Sequence, residues 1–343
     1  MDPFSQALLG SVFSSCFAQK IKKTKKAQKS KIKTAAFCGA IGGVAADLDV
    51  LIKSSHDSLF AIEYHRHFTH SIFFIPFGGL IIATLLWLIF YRNKIGYKAI
   101  YLFTTIGYAT HGILDSLTSY GTSLFWPISS ARISLNIISI VDPIFTSILL
   151  ITLIVTLIKK SSKAAIYGLL ITILYLSFGY YQKHQVNNFM HDIANSRGHK
   201  IERSLLKPTI GNNILWRSVY QSDNYYYVDA VRKTPFSGFL FKKGGRVNTM
   251  DPDKIFPQFA ENSIQRNDIK KFAYFSQNYI YLLAGQGNVI GDLRYGTLPY
   301  DLRALWGLKV NPADSSSPTR FVELRDFKEN DYIKLKEMLK GQF

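Results

Sequence analysis

The stretch Ser71–Tyr91 carries no charged residue, and Val141–Ile158 carries one, Asp142, near its start. A helix needs about 20 apolar residues to cross the hydrocarbon layer of a bilayer, so runs of this kind leave a chain few homes besides lipid. Further apolar segments occupy 4–18, 34–52, 98–118 and 164–181. Together they predict a mainly α membrane domain over residues 1–182, with five or six transmembrane or interfacial helices. Residues 4–18 are short for a span, and both crossing the bilayer and lying against it fit them. Met1-Asp2-Pro3-Phe4 lacks the basic start of a signal peptide, which reads as a retained helix. Segment 34–52 opens with Thr34-Ala35-Ala36-Phe37-Cys38-Gly39-Ala40-Ile41-Gly42-Gly43, small residues that let neighbouring helices approach closely.

Charge supplies an orientation. Of the 343 residues, 41 are Lys or Arg against 23 Asp or Glu, a formal net charge of +18. Such an excess raises nucleic acid as a partner, but the cations sit in loops between apolar runs, and Lys20–Lys33 has no interleaved aromatics for stacking on bases. Lys20, Lys22, Lys23, Lys25, Lys26, Lys29, Lys31 and Lys33 fill the first connection, Arg92, Lys94 and Lys98 the third, and Lys159, Lys160 and Lys163 the fifth. Alternate connections fall on one side, and cytoplasmic loops are the basic ones. The chain thus reads as a multi-pass protein of the bacterial cytoplasmic (inner) membrane, its 53–70 loop, 119–142 loop and tail extracytoplasmic. Cys16 and Cys38, both within apolar stretches, give no disulfide framework and no paired-Cys metal motif.

Beyond a linker at 183–200, residues 201–343 change character. Tyr225-Tyr226-Tyr227-Val228, Gly238-Phe239-Leu240-Phe241 and Tyr279-Ile280-Tyr281-Leu282-Leu283 are short β-prone runs between turn residues. They predict a smaller soluble β-rich (α+β) domain that closes in a charged helix near Glu329–Leu339.

Ionisable groups at a membrane boundary are expensive and mark function by default. Asp47 and Asp49 end the second apolar segment; at i and i+2 they diverge on a helix and converge only where it gives way to a turn. An exposed helix exit is their bland reading. Glu63-Tyr64-His65-Arg66-His67-Phe68-Thr69-His70 places three of the eight histidines within six residues, and imidazoles are ligands for zinc and similar ions. Interfacial basic residues are the alternative, and spacing alone does not choose among the three. His111 and Asp115, at i and i+4, share a helical face, as two ligands, a ligand and its orienting partner, or a buried hydrogen-bonded pair. Arg132 suits an anionic group such as phosphate or a lipid headgroup, and Asp142-Pro143 reads as a helix start. In the topology above all of these lie on the extracytoplasmic side, which favours one shared metal site.

With these residues in view, the chain resembles the membrane-bound metal-dependent hydrolase family, also described as YdjM-like, LexA-binding inner-membrane hydrolases. Met1-Asp2-Pro3-Phe4-Ser5-Gln6 is similar to its Met-Asp-x-x-Thr-Gln/His opening. Asp47-Leu48-Asp49 is similar to its Pro-Asp-x-Asp motif, with Ala46 at the proline. His65-Arg66-His67-Phe68-Thr69-His70-Ser71 is similar to its His-Arg-Gly-x-Thr/Ser-His-Ser motif, with His67 at the glycine. His111–Asp115, Tyr120-Gly121-Thr122, Pro127, Arg132 and Asp142-Pro143 follow in the family's order, and Asn213–Arg217 and Asp292–Gly296 resemble its C-terminal landmarks. The resemblance implies metal ligands among Asp47, Asp49, His65, His70, His111 and Asp115, with Gln6 and Asp142 nearby.

The reading that results is a hydrolase using one or more divalent ions, zinc by its ligand types, on a phosphoester or lipid-linked substrate at the outer membrane surface. A spare carboxylate, Asp49 or Asp142, would serve as general base and Arg132 would hold the anion. Membrane lipids and a small-molecule or lipid-linked substrate are the expected partners. Two rivals remain: a metal-ion transporter, and a non-catalytic membrane protein with a structural metal or polar network.

Overall fold

A computed structural model describes residues 1–18, 25–52, 54, 57–92 and 95–343, with the backbone alone for 25–30. Lys20, Lys22, Lys23 and Lys94 of the basic loops lie outside the described residues. The chain divides into two compact units.

The first unit comprises 1–52, 64–181 and 210–212. Its helices are α1 (Pro3–Cys16), α2 (Lys25–Ala45), α4 (Ile75–Leu86), α5 (Tyr97–Ser116), α6 (Pro143–Lys159) and the first part of α7 (Ser162–Ser196). Asp2 caps α1 by accepting from Ser5 N, and Pro3 occupies the first position, a helix start written in the sequence. The small residues of α2 act as expected. A Cβ added at Gly10 or at Gly107 would lie 2.2 Å from the carbonyl oxygen of Gly39, so α1, α2 and α5 meet there backbone against backbone. Ser11 and Ser14 donate to the carbonyls of Ala36 and Phe103 at 2.8 and 2.7 Å, which stitches the same three helices. Large apolar side chains stay exposed elsewhere, among them Phe77, Ile81 and Ile89 near α4, Ile151 and Ile158 on α6, and Leu170 and Leu174 on α7. An apolar surface of that extent marks contact with lipid or another apolar partner.

Where five or six transmembrane or interfacial helices are expected, two helical stretches among the described residues are long and apolar enough to span a bilayer, Lys31–Leu51 and Ser162–Ser196. A third is available if Phe60–His70 and Ile75–Tyr91, bent by 89° at their junction, count as one broken span. Pro143–Lys159 is apolar but shorter. Helix α5 is lined with buried polar groups, Thr104, Thr110, His111 and Asp115, which makes it a helix of the interior.

The second unit comprises 53–63, 182–209 and 213–343. It holds two four-stranded antiparallel sheets, ordered β1 (Arg203–Pro208), β2 (Leu215–Ser222), β3 (Tyr225–Lys233), β4 (Phe239–Asn248), and β5 (Ile280–Leu283), β6 (Gln286–Asp292), β7 (Trp306–Lys309), β8 (Arg320–Glu323). Helix α8 (Ile264–Phe275) joins the sheets and α9 (Glu329–Lys340) closes the chain. Residues 183–196, expected as part of a linker, continue α7: Val186, Met190 and Ile193 bury against Trp216, Tyr220 and Val231. Part of the 53–70 loop, including most of the short helix α3 (Phe60–Tyr64), also belongs here. Asp57 and Glu63 each lie 3.2 Å from Lys271 Nζ, and Ser58 donates to the carbonyl of Thr319 at 3.0 Å.

The two C-terminal landmarks prove to be one structural knot. Arg217, fully buried, donates to the carbonyls of Leu293, Leu298, Pro299 and Asp301. Arg294 pairs with Asp292 at 2.8 Å, and Trp306 Nε1 donates to the same carboxylate at 3.1 Å. Burial pushes the Arg217 guanidinium down to about 10 and the neighbouring Lys207 amine well below its ordinary value, with Arg217 adding to the effect on Lys207.

Candidate metal centre

Helix α2 ends at Ala45, and Ala46–Leu51 tightens into a 3-10 turn. This is the loss of α-helical geometry that Asp47 and Asp49 need in order to converge, since at i and i+2 an α-helix would point them apart. Residues 65–70 form a compact loop in which Arg66 takes a left-handed conformation, φ 66°, before a short 3-10 turn at Phe68–His70. Helix α5 presents His111 and Asp115 one turn apart, both fully buried.

These elements bring all six candidate ligands together in two overlapping groups. Asp47, His70, His111 and Asp115 form one, and Asp47, Asp49 and His65 the other; within each, ligand atoms lie within 4.8 Å of one another. The centre of the first group is a pair of imidazoles whose Nε2 atoms stand 3.0 Å apart. His111 Nδ1 lies 2.5 Å from the carbonyl oxygen of Gly43 and must donate to it. His70 Nδ1 lies 3.2 Å from Asp49 Oδ2 and takes the same donor role there. With each Nδ1 acting as donor, a ring in its neutral form turns its Nε2 lone pair inward.

Carboxylates face the same point. Asp47 Oδ1 is 3.5 Å from His70 Nε2 and 3.3 Å from His111 Nε2, while Asp115 Oδ2 is 3.4 and 3.7 Å from them. Four buried or half-buried lone-pair donors that converge without a cation repel one another. A proton or a metal ion relieves that repulsion, and two imidazoles with two carboxylates are a donor set that divalent ions accept. The cluster can therefore hold a metal ion. Its surroundings match the pattern in which a ligating histidine gives its other N–H to a carbonyl or carboxylate.

The remaining expected residues sort by their contacts. Gln6 is buried and its Nε2 donates to Asp115 Oδ1 at 2.9 Å; its Oε1 meets no donor among the described residues. Asp49 accepts from His65 Nδ1 at 2.7 Å, Arg66 N at 3.0 Å and Thr69 Oγ1 at 2.7 Å. Asp142 lies outside both groups: Oδ1 caps α6 at Ile144 N and Phe145 N, and Oδ2 accepts from Tyr175 at 2.8 Å. Arg132 turns its guanidinium to the carbonyls of His65 and Gly121, at 3.4 and 3.0 Å. His67 lies outside both groups; its ring packs on Trp126 at 5.5 Å.

Arg66 is the site residue that the sequence reading passed over. It is buried, with Nε 3.1 Å from Asp115 Oδ2, its guanidinium 4.8 Å above the Tyr120 ring and its carbonyl accepting from Ser123 N at 3.0 Å. The amino group of Met1 also pairs with Asp115. The signal for Arg66 was its place between the histidines, and for Gly43 the Gly42-Gly43 pair. Gly112 is needed for a close approach: a Cβ there would lie 2.2 Å from the carbonyl oxygen of His70.

Residues 1–186, which hold every one of these groups, match the family described as YdjM inner membrane protein. The chain belongs to that family. It is also 32% identical over 102 residues to the uncharacterized protein YfhP of Bacillus subtilis, a match covering 30% of this chain and 30% of that relative's length. No solved structure matches. Membership of an inner membrane family, with the two apolar helices, makes this a membrane-associated protein.

Proposed function

We propose that this YdjM-family protein is a divalent-metal-dependent hydrolase that cleaves a phosphoester or lipid-linked substrate at the extracytoplasmic surface of the inner membrane. The observation that carries the reading is the pair of inward-facing Nε2 atoms, 3.0 Å apart, flanked by Asp47 and Asp115. A divalent ion held there, zinc by the mix of imidazole and carboxylate donors, would supply the Lewis acidity that turns water into a nucleophile at neutral pH.

Asp47, His70, His111 and Asp115 hold, and Asp49, Thr69 and the Gly43 carbonyl orient. His65 has its side chain 26% exposed, and Asp49 fixes its Nδ1; its Nε2 is thereby placed to take and return a proton, with Asp49 behind it as in other carboxylate–imidazole pairs. Arg66 offsets the charge of Asp115, and Arg132 holds the carbonyls that shape the His65 loop. Multi-pass topology and an outward-facing site follow from the alternation of basic loops, and a site beside lipid makes a lipid-linked phosphoester the natural substrate.

Reconstituted full-length protein supplied with zinc and a panel of phosphodiesters and phospholipids tests the proposal. His111→Ala and Asp115→Ala should abolish turnover while both variants still insert. His65→Asn should lower kcat by roughly 10²–10⁴-fold, the usual worth of a general base. Normal turnover by both ligand variants would overturn the assignment. The Arg66–Asp115 ion pair favours one second reading, a closed polar network without catalysis, and wild-type protein that neither holds metal nor cleaves anything in the panel would support it.

A further inference from the structure

Strands β3 and β4 pair in register from Lys233↔Phe239, so residues 234–238 form the tip of their hairpin. Phe236 at that tip is fully exposed, and Leu240 and Phe241, just inside it on the edge strand β4, are 41% and 45% exposed. A soluble surface gains nothing from a phenylalanine held wholly in water. The segment Ala230–Met250 holds Arg232, Lys233, Lys242, Lys243 and Arg246 and not one acidic residue. An apolar tip on strands that carry cations and no acid nearby fits an anionic lipid surface, where aromatics settle at headgroup depth and Lys and Arg meet phosphate.

Helix α7 puts such a surface within reach. Its apolar run ends at the exposed Tyr180 and Tyr181, an aromatic pair of the kind found at membrane interfaces. Eight residues on, about 12 Å of helix rise, Phe189 of the same helix stacks on Phe239, ring centroids 4.3 Å apart. Phe239 is three residues from Phe236. The hairpin is thus anchored on α7 itself, through Phe189.

We propose that the β3–β4 tip docks into the anionic headgroup layer of the membrane that α7 enters, Phe236 inserting and Lys242 and Lys243 meeting lipid phosphates. A partner protein with an acidic groove is the competing occupant. Docking needs no metal, so it stands apart from the hydrolase reading.

The test uses the full chain in nanodiscs, with an environment-sensitive fluorophore on Phe236→Cys and, as a control, on the exposed Ala313→Cys; wild-type protein gives the Cys16 and Cys38 background. Nitroxide-labelled lipid should quench the probe at 236 several-fold more than the probe at 313 in discs of equimolar phosphatidylglycerol and phosphatidylcholine. The difference should shrink in pure phosphatidylcholine and in a Lys242→Gln/Lys243→Gln background. A probe at 236 quenched no more than the control overturns the proposal and turns the tip toward a protein partner. Quenching independent of lipid charge overturns the anionic recognition.

Discussion

At the scale of single residues, the centre is set by where protons sit. The Gly43 carbonyl fixes the His111 tautomer and Asp49 fixes that of His70, so both Nε2 atoms face inward. Thr69 holds Asp49 in turn through a 2.7 Å hydrogen bond. Thr69→Val, which keeps the shape and removes the hydroxyl, should weaken metal affinity by roughly 10–100-fold while the thermal midpoint stays near wild type; isothermal titration with zinc reads this, and unchanged affinity would show that Asp49 needs no such support. The six candidate ligands were legible in the sequence as a cluster because histidines and aspartates are rare at the edges of apolar runs. Arg66 was not legible, because an arginine beside a lipid boundary is ordinary until its buried partner, Asp115, is seen. Asp142 had two sequence readings, and its contacts with Ile144 N, Phe145 N and Tyr175 are those of a helix cap.

At the scale of elements, close packing decides. Gly112 lets α5 lie against the His70 carbonyl, and Gly39 lets α1, α2 and α5 meet. Gly112→Ala should displace the 65–70 loop, destabilise the protein by roughly 1–3 kcal/mol as overpacking does, and reduce metal loading. Gly96, with nothing near it, supplies a control in which alanine is tolerated; a Gly112→Ala protein that melts and binds metal as wild type does would refute the close approach. The small residues of α2 announced this packing in the sequence. The 89° bend after His70 was not announced, since residues 53–70 read as a loop ahead of the apolar run Ser71–Tyr91. Nor does the sequence single out α8, whose amphipathic pattern lies among the turn residues of a β-rich tail.

For the whole molecule, the two units draw on different physics, apolar helices in one and a satisfied polar knot in the other. Lys207 lies buried beside Arg217 with its amine pKa lowered by burial. A lysine depressed in this way binds fewer protons folded than unfolded. It therefore costs stability below its lowered pKa, and that cost fades as pH rises toward 10.5. Lys207→Met should raise the melting of the tail in the full chain at neutral pH and gain progressively less as pH approaches 10.5; a gain independent of pH would mean that the amine stays charged when folded. Orientation is a second property at this scale. Lys163→Cys should resist a membrane-impermeant thiol reagent added outside, whereas Ala313→Cys should react, and the reverse pattern would invert the topology.

The most direct test of the central claim is the metal content of the detergent-purified full chain, by plasma mass spectrometry, beside a His70→Ala/His111→Ala variant. A stoichiometric divalent metal in the wild type, lost in the variant, is the predicted result. No metal in either protein, even after incubation with zinc, would contradict it and leave the two histidines as members of a buried polar network.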